Sequence, residues 1–178
     1  MNIKGQVKII KKKRVPEVSI KNNTILYNYR NLQVNLMNGE SPDFYMTLCS
    51  SFNYNPTDSR SDPVSTTANY YPPASPTTPQ PCIFKIPHTS SPSEGYTSSL
   101  VITNSSNAVN NTDSAKVVIT VNFSGANINI TQPISGIIIS QGNPNTNPAS
   151  YPISAVELND YAFTSINDFS ILYTYEVA

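Results

Sequence analysis

Two stretches of this chain alternate apolar and polar residues cleanly. Over 116–123, Val117, Ile119, Val121 and Phe123 fall on one side, and Val118, Thr120 and Asn122 on the other. Over 169–177, Phe169, Ile171, Tyr173, Tyr175 and Val177 alternate with Ser170, Leu172, Thr174 and Glu176. A period of two is that of a half-buried β-strand, whose side chains point alternately to opposite faces. Weaker strand patterns cover 44–52, 82–86, 96–103, 127–131, 153–158 and 161–164. Residues 134–140 differ, because Ile137, Ile138 and Ile139 are contiguous. That pattern predicts a central strand covered on both faces. A strand at 169–177 has to pair with strands made much earlier, so the pattern predicts one non-local β fold.

One segment has helical spacing. Ile25, Leu26, Tyr29, Leu32, Leu36 and Met37 recur at three to four residues, which predicts a helix over 25–38. Thr24 is the expected cap, Asn38-Gly39 the expected left-handed end, and Pro42 stops continuation. The whole pattern predicts a mainly β chain, an antiparallel β-sandwich or jelly-roll-like fold with one short helix in the N-terminal half. Residues 1–21 are expected to form a basic arm or edge strand, and 22–178 a single sandwich domain.

Residues 53–81 interrupt the strand pattern. They are rich in proline and hydroxyl residues and include Tyr70-Tyr71-Pro72-Pro73. Proline lacks the N–H that a sheet ladder needs, so the segment reads as a long loop. Tyr54, Tyr70, Tyr71, Pro72 and Pro73 make it a candidate contact surface, since extended proline segments lose little entropy on docking. Disorder is the competing reading.

Charge adds one further feature. Charged residues are only 12% of the 178, with formal net charge zero. Such a surface resists association weakly. It suits a protein living in an assembly, and equally an Asn-, Ile- and Tyr-rich composition bias. Seven of the eleven basic residues lie within 1–21: Lys4, Lys8, Lys11, Lys12, Lys13, Arg14 and Lys21. The run Lys4, Lys8, Lys11, Lys12, Lys13, Arg14 is a candidate assembly arm, with possible DNA contact through phosphates. The bland alternative is lysines guarding a sheet edge. Val15, Pro16 and Glu17 follow the run in place of an apolar stretch, so it is not expected to be a secretory signal. No run of about 18 apolar residues occurs, and no membrane span is expected.

Catalytic patterns are missing. His88, Cys49 and Cys82 are the only Cys and His residues, fewer than the four ligands zinc prefers. Six scattered glycines make no phosphate loop. Loop aspartates at 58, 62, 160 and 168 do not form a twelve-residue calcium loop. The expectation is a non-enzyme with no catalytic residue, metal or cofactor, its two cysteines reduced.

The order of segments resembles that of small structural proteins of tailed bacteriophages: tail, head-fibre and capsid-decoration components. Leu36-Met37-Asn38-Gly39 ends a helix, Phe44 to Cys49 follows as a strand, and Asn55-Pro56-Thr57 opens a loop. Later, Ile134 to Ile139 precedes Ala162-Phe163-Thr164 and the alternating strand Phe169 to Val177. The resemblance covers 24–54 and 134–177. It departs at Cys49-Ser50-Ser51, where those proteins carry a glycine-rich segment, and the proline loop lies outside the pattern. It implies a virion location, a homo-oligomer and partners among capsid or tail proteins. The alternative expectation is a carbohydrate- or receptor-binding β-sandwich whose tyrosines stack on ligand.

Overall fold

The computed structural model describes residues 3–12, 17–53, 63–72, 77–89, 94–107, 112–146, 150–161 and 168–177. The chain is mainly β, and all strand pairs among the described residues are antiparallel. One sheet contains β1 (Ile3–Lys11), β2 (Glu17–Asn22), β9 (Tyr96–Asn107), β10 (Thr112–Phe123) and β14 (Phe169–Val177), in the order β2-β1-β14-β10-β9. The second contains β3 (Thr24–Ile25), β4 (Phe44–Asn53), β5 (Val64–Thr67), β8 (Ile83–Ile86), β12 (Ile134–Gln141) and β13 (Tyr151–Tyr161). Its order is β3-β13-β12-β4-β5, with β8 also on β4. A small third sheet joins β6 (Asn69–Tyr71) to β7 (Gln80–Pro81) and β11 (Asn129–Ile130).

The two large sheets share one core, which makes the fold a sandwich. Val7, Ile9, Ile119, Val121, Ile171 and Tyr173 of the first pack in one cluster with Met46, Leu48, Phe84, Ile137 and Ile139 of the second. The inward set of 117–123 is the one the alternation predicts: Ile119, Val121 and Phe123 are buried. β14 lies between β1 and β10, in register with each over its whole length. β12 is central in its sheet, as its contiguous isoleucines imply. Ile137 and Ile139 face the shared core, while Ile138 is buried on the opposite face with Leu26, Cys49 and Ala155. Phe52 covers that outer cluster and lies over Gly136.

The helix is shorter than its periodicity predicts. It spans α1 (Tyr29–Met37). Thr24 and Ile25 pair instead with Ala155 and Ser154, and the Leu26 N–H donates to the Ile153 carbonyl at 3.0 Å. Sheet pairing and burial of Leu26 override helical spacing there. Asn28, not Thr24, precedes the first turn, and its side chain makes no capping bond. The other end is as expected: Gly39 has φ 79°, and the N–H groups of Gly39 and Glu40 close on Leu36 and Asn35. Only Leu32 of the helix is buried; Val34, Leu36 and Met37 are exposed.

A polar node pins the sheets together where β2 crosses into β3. The Tyr173 hydroxyl reaches across the sandwich to Ser154 Oγ at 2.5 Å. Ser154 Oγ donates to the Thr24 carbonyl at 3.0 Å, so it accepts from Tyr173 and from Asn23 Nδ2, also at 3.0 Å. The Asn23 N–H donates to the Gly5 carbonyl at 3.1 Å. Tyr175 lies beside this node with its ring 5.2 Å from that of Tyr173. Its buried hydroxyl makes no aligned hydrogen bond among the described residues.

Burial pushes several acidic protons upward: strongly for Tyr173, Tyr175 and Cys82, to about 11 for Cys49 and to about 12 for Tyr96. Both cysteines are unpaired and buried.

Two predictions follow from this packing. A β-carbon at Gly136 would lie 2.5 Å from two ring carbons of Phe52. Gly136→Ala should therefore destabilise the fold by about 1–3 kcal/mol. A thermal midpoint unchanged within error would refute that contact. The second concerns alkaline pH. The folded pKa values of the buried tyrosines and cysteines are raised, so the unfolded chain loses these protons first. Stability should be fully present below about pH 9 and fall as pH rises towards 12. Melting curves from pH 7 to 11 test this, and Tyr173→Phe should make the fall shallower. A flat midpoint across that range would contradict the burial of these groups.

Candidate interaction surfaces

The described part of the basic run is built into a sheet. Residues 3–11 are β1, hydrogen-bonded to β14 on one side and β2 on the other. Val7 and Ile9 carry the strand into the core. Of the two expectations for 1–21, the edge strand fits the described part: the stretch contains a hairpin whose inner member, β1, lies inside the sheet and whose outer member, β2, is its edge. Apolar residues flanking the lysines recruited the strand into the sheet. Strand alternation also divides the charges. Lys8 lies on the outer face, opposite Leu172 and Ile20, while Lys11 shares the parity of Val7 and Ile9. Lys12 is exposed past the strand end, its N–H donating to the Asp168 carbonyl at 2.8 Å. The Lys4 backbone pairs with Glu176, and Lys13 and Arg14 lie outside the described residues. Lys8 and Lys11 thus lie on opposite faces of β1.

The tyrosine–proline segment is also more structured than its composition predicts. Tyr54 and Pro73 lie outside the described residues. Tyr70 and Tyr71 belong to β6 and pair with Ile130 and Asn129. Tyr70 packs its ring on Phe84, with centroids 5.8 Å apart, and Pro72 is half-buried. This corrects the reading of 53–81 as one long loop. Pro81 is tolerated because of its position in the β6–β7 ladder. Cys82 N–H donates to the Ala68 carbonyl at 2.8 Å, so the neighbouring Asn69–Pro81 pair is a non-hydrogen-bonded one. The missing proline N–H is not needed there.

An aromatic cluster closes this end of the sandwich. Phe84 meets Phe123 and Tyr96 edge-on, each at 4.9 Å, and Phe123 stacks on Phe169 at 4.4 Å. His88 stacks on Tyr96 at 4.6 Å, and its Nε2 lies 2.5 Å from a Glu94 carboxylate oxygen. That distance suits an ion pair when the ring is protonated, although the ring nitrogen is not aligned for a hydrogen bond. His88 thus packs on Tyr96 and bridges to Ser98 through backbone hydrogen bonds. A shallow cleft of about 360 Å³ lies between Glu40, Asp43, Tyr45, Gln141 and Asn143. Lys85 ion-pairs with Asp43 at 2.9 Å on the exposed surface, a contact of small energetic value. Among the described residues no group of three Cys, His, Asp or Glu side chains converges to hold a metal ion. None of their helices is long and apolar enough to cross a membrane.

The surface that composition did not single out is the free edge of β9. Ser98 exchanges both backbone hydrogen bonds with His88, at 2.9 and 3.1 Å. Backbone groups alternate sides along a strand. Leu100, Ile102, Asn104 and Ser106 therefore aim their N–H and C=O groups at the same open side, and no described strand lies there. Tyr96–Asn107 contains no charged residue and no proline. Val101 and Ile102 are 54% and 62% exposed. The signal was present in the sequence as twelve uncharged residues, yet only the sheet order identifies them as an edge.

Because β1 is a core strand, removing residues 1–12 should abolish cooperative unfolding and expose the edge of β14. Circular dichroism melts test this; a truncated chain that melts cooperatively near the full-length midpoint would restore the arm. Comparisons with family models, curated proteins and solved structures find no match to this chain.

Proposed function

We propose that this chain is a non-enzymatic structural subunit of a tailed-phage virion, an auxiliary capsid, head-fibre or tail component that assembles with itself and with other virion proteins. The observation that carries the reading is the long, uncharged free edge of β9. Sheet edges invite pairing with another chain, and proteins that stay apart usually guard them with charge, proline or a bulge. Here the guards are missing, while apolar side chains on β9 and α1 stand exposed. The low overall charge leaves little repulsion between copies. The order of segments supplies the virion context through its resemblance to small phage structural proteins. Contact of the lysines with packaged DNA is a weaker part of the proposal, because Lys8 and Lys11 lie on different strand faces.

A carbohydrate- or receptor-binding module loses support at one point. Tyr70, a candidate stacking ring, already packs on Phe84.

The test is location. Particles released from cells carrying the gene are purified on a density gradient, then analysed by peptide mass spectrometry and antibody labelling. The chain is expected in the particle band at many copies. Its recovery only from the soluble fraction, with particles complete without it, would overturn the proposal.

A further inference from the structure

We infer that β9 is a self-association edge, and that two copies of this chain pair their β9 strands antiparallel about a two-fold axis at Ile102. The inference rests on the assembly reading for its biological setting, but its structural argument is independent. The groups facing the open side belong to even-numbered residues, from Leu100 to Ser106. An antiparallel hydrogen-bonded pair must therefore join even to even. Residues of equal parity lie on the same sheet face, so the outer faces of both copies end on the same side. The product is one continuous sheet of two five-stranded halves.

The position of the axis follows from side chains. Ile102 has the parity of the core face but is 62% exposed. With the axis at Ile102, its side chain meets its own copy. Leu100 then pairs with Asn104 of the other copy, giving roughly six inter-copy backbone hydrogen bonds. Ser98 stays bonded to His88, so nothing already paired has to open.

A second copy suits this edge for two reasons. Isologous pairing sets the residue at the axis against its own copy, where a charge would meet its like, and β9 carries no charge. The opposite edge of the same sheet, β2, carries Glu17 and Lys21 within six residues. Only one of the two edges lacks charged guards.

The experiment uses the full chain. Light-scattering mass is measured across about 1–200 µM for the wild type and for Ile102→Lys, which places a guard at the axis. The wild type should form dimers or their multiples, and Ile102→Lys should return the smaller species, with a thermal midpoint matching that of wild type diluted until it too is dissociated. A second variant, Ile102→Cys, should form a disulfide-linked dimer under mild oxidation. Hydrogen-bonded antiparallel partners hold their Cα atoms about 5.5 Å apart, within disulfide reach. Thr103→Cys should not crosslink, because its copy lies about 8 Å away, beyond that reach. A wild type that stays monomeric throughout, or a dimer indifferent to Ile102→Lys, would overturn the inference. So would crosslinking at Thr103 without crosslinking at Ile102. Presence of the chain in particles does not bear on these outcomes, so failure here and failure of the virion reading are separable.

Discussion

The structure depends on where β14 goes. Phe169–Val177 enters between β1 and β10, and each of its residues pairs on both sides. Until that strand docks, the first sheet is two separate hairpins, β1–β2 and β9–β10, each with an unpaired edge. Its inward residues are the largest part of that sheet's core: Phe169, Ile171, Tyr173 and Tyr175 are all buried. Contacts this distant in sequence are costly in loop-closure entropy before they are rewarded. The first sheet is consequently completed by a strand whose partners lie far from it in sequence.

Tyr173 extends that dependence to the second sheet. Its hydroxyl is taken from water and given to Ser154, which also holds Asn23 and the Thr24 carbonyl. A buried polar group without partners is costly, and one that is satisfied specifies a unique arrangement. The node fixes how the β2–β3 crossover sits over the sandwich, and with it the spacing of the two sheets at that end. At the other end the spacing is set by rings, Phe84 against Phe123 and Tyr96. Between these two clamps the outer strands of the first sheet differ. β2 is charged at both ends, whereas β9 is uncharged along its length. The proposed assembly role grows from that asymmetry.

How much was legible depended on whether a segment's state was set locally. The alternation of 116–123 and 169–177 requires only that one face be buried, and those strands appear as read. Gly39 closes the helix because a left-handed residue is a local demand. The helix start differs from the periodicity because Thr24 and Ile25 pair with Ala155 and Ser154, far away in sequence. Proline content argued for a loop at 53–81, but Pro81 sits at a ladder position that needs no N–H. Lysine content left 1–21 open between an arm and an edge strand; Val7 and Ile9 enter the core, which puts β1 inside the sheet and β2 at its edge.

By itself the sequence determined the fold class, the inward faces of the regular strands and the buried centre at 137–139. These follow from side-chain period and composition, which act over a few residues. Only the tertiary structure decided that β1 is interior and β2 and β9 are edges, that Tyr70 packs against the core, and that Tyr173 ends on Ser154. An edge is defined by the strand that is missing beside it. No residue encodes that locally; it emerges when every other pairing has been made.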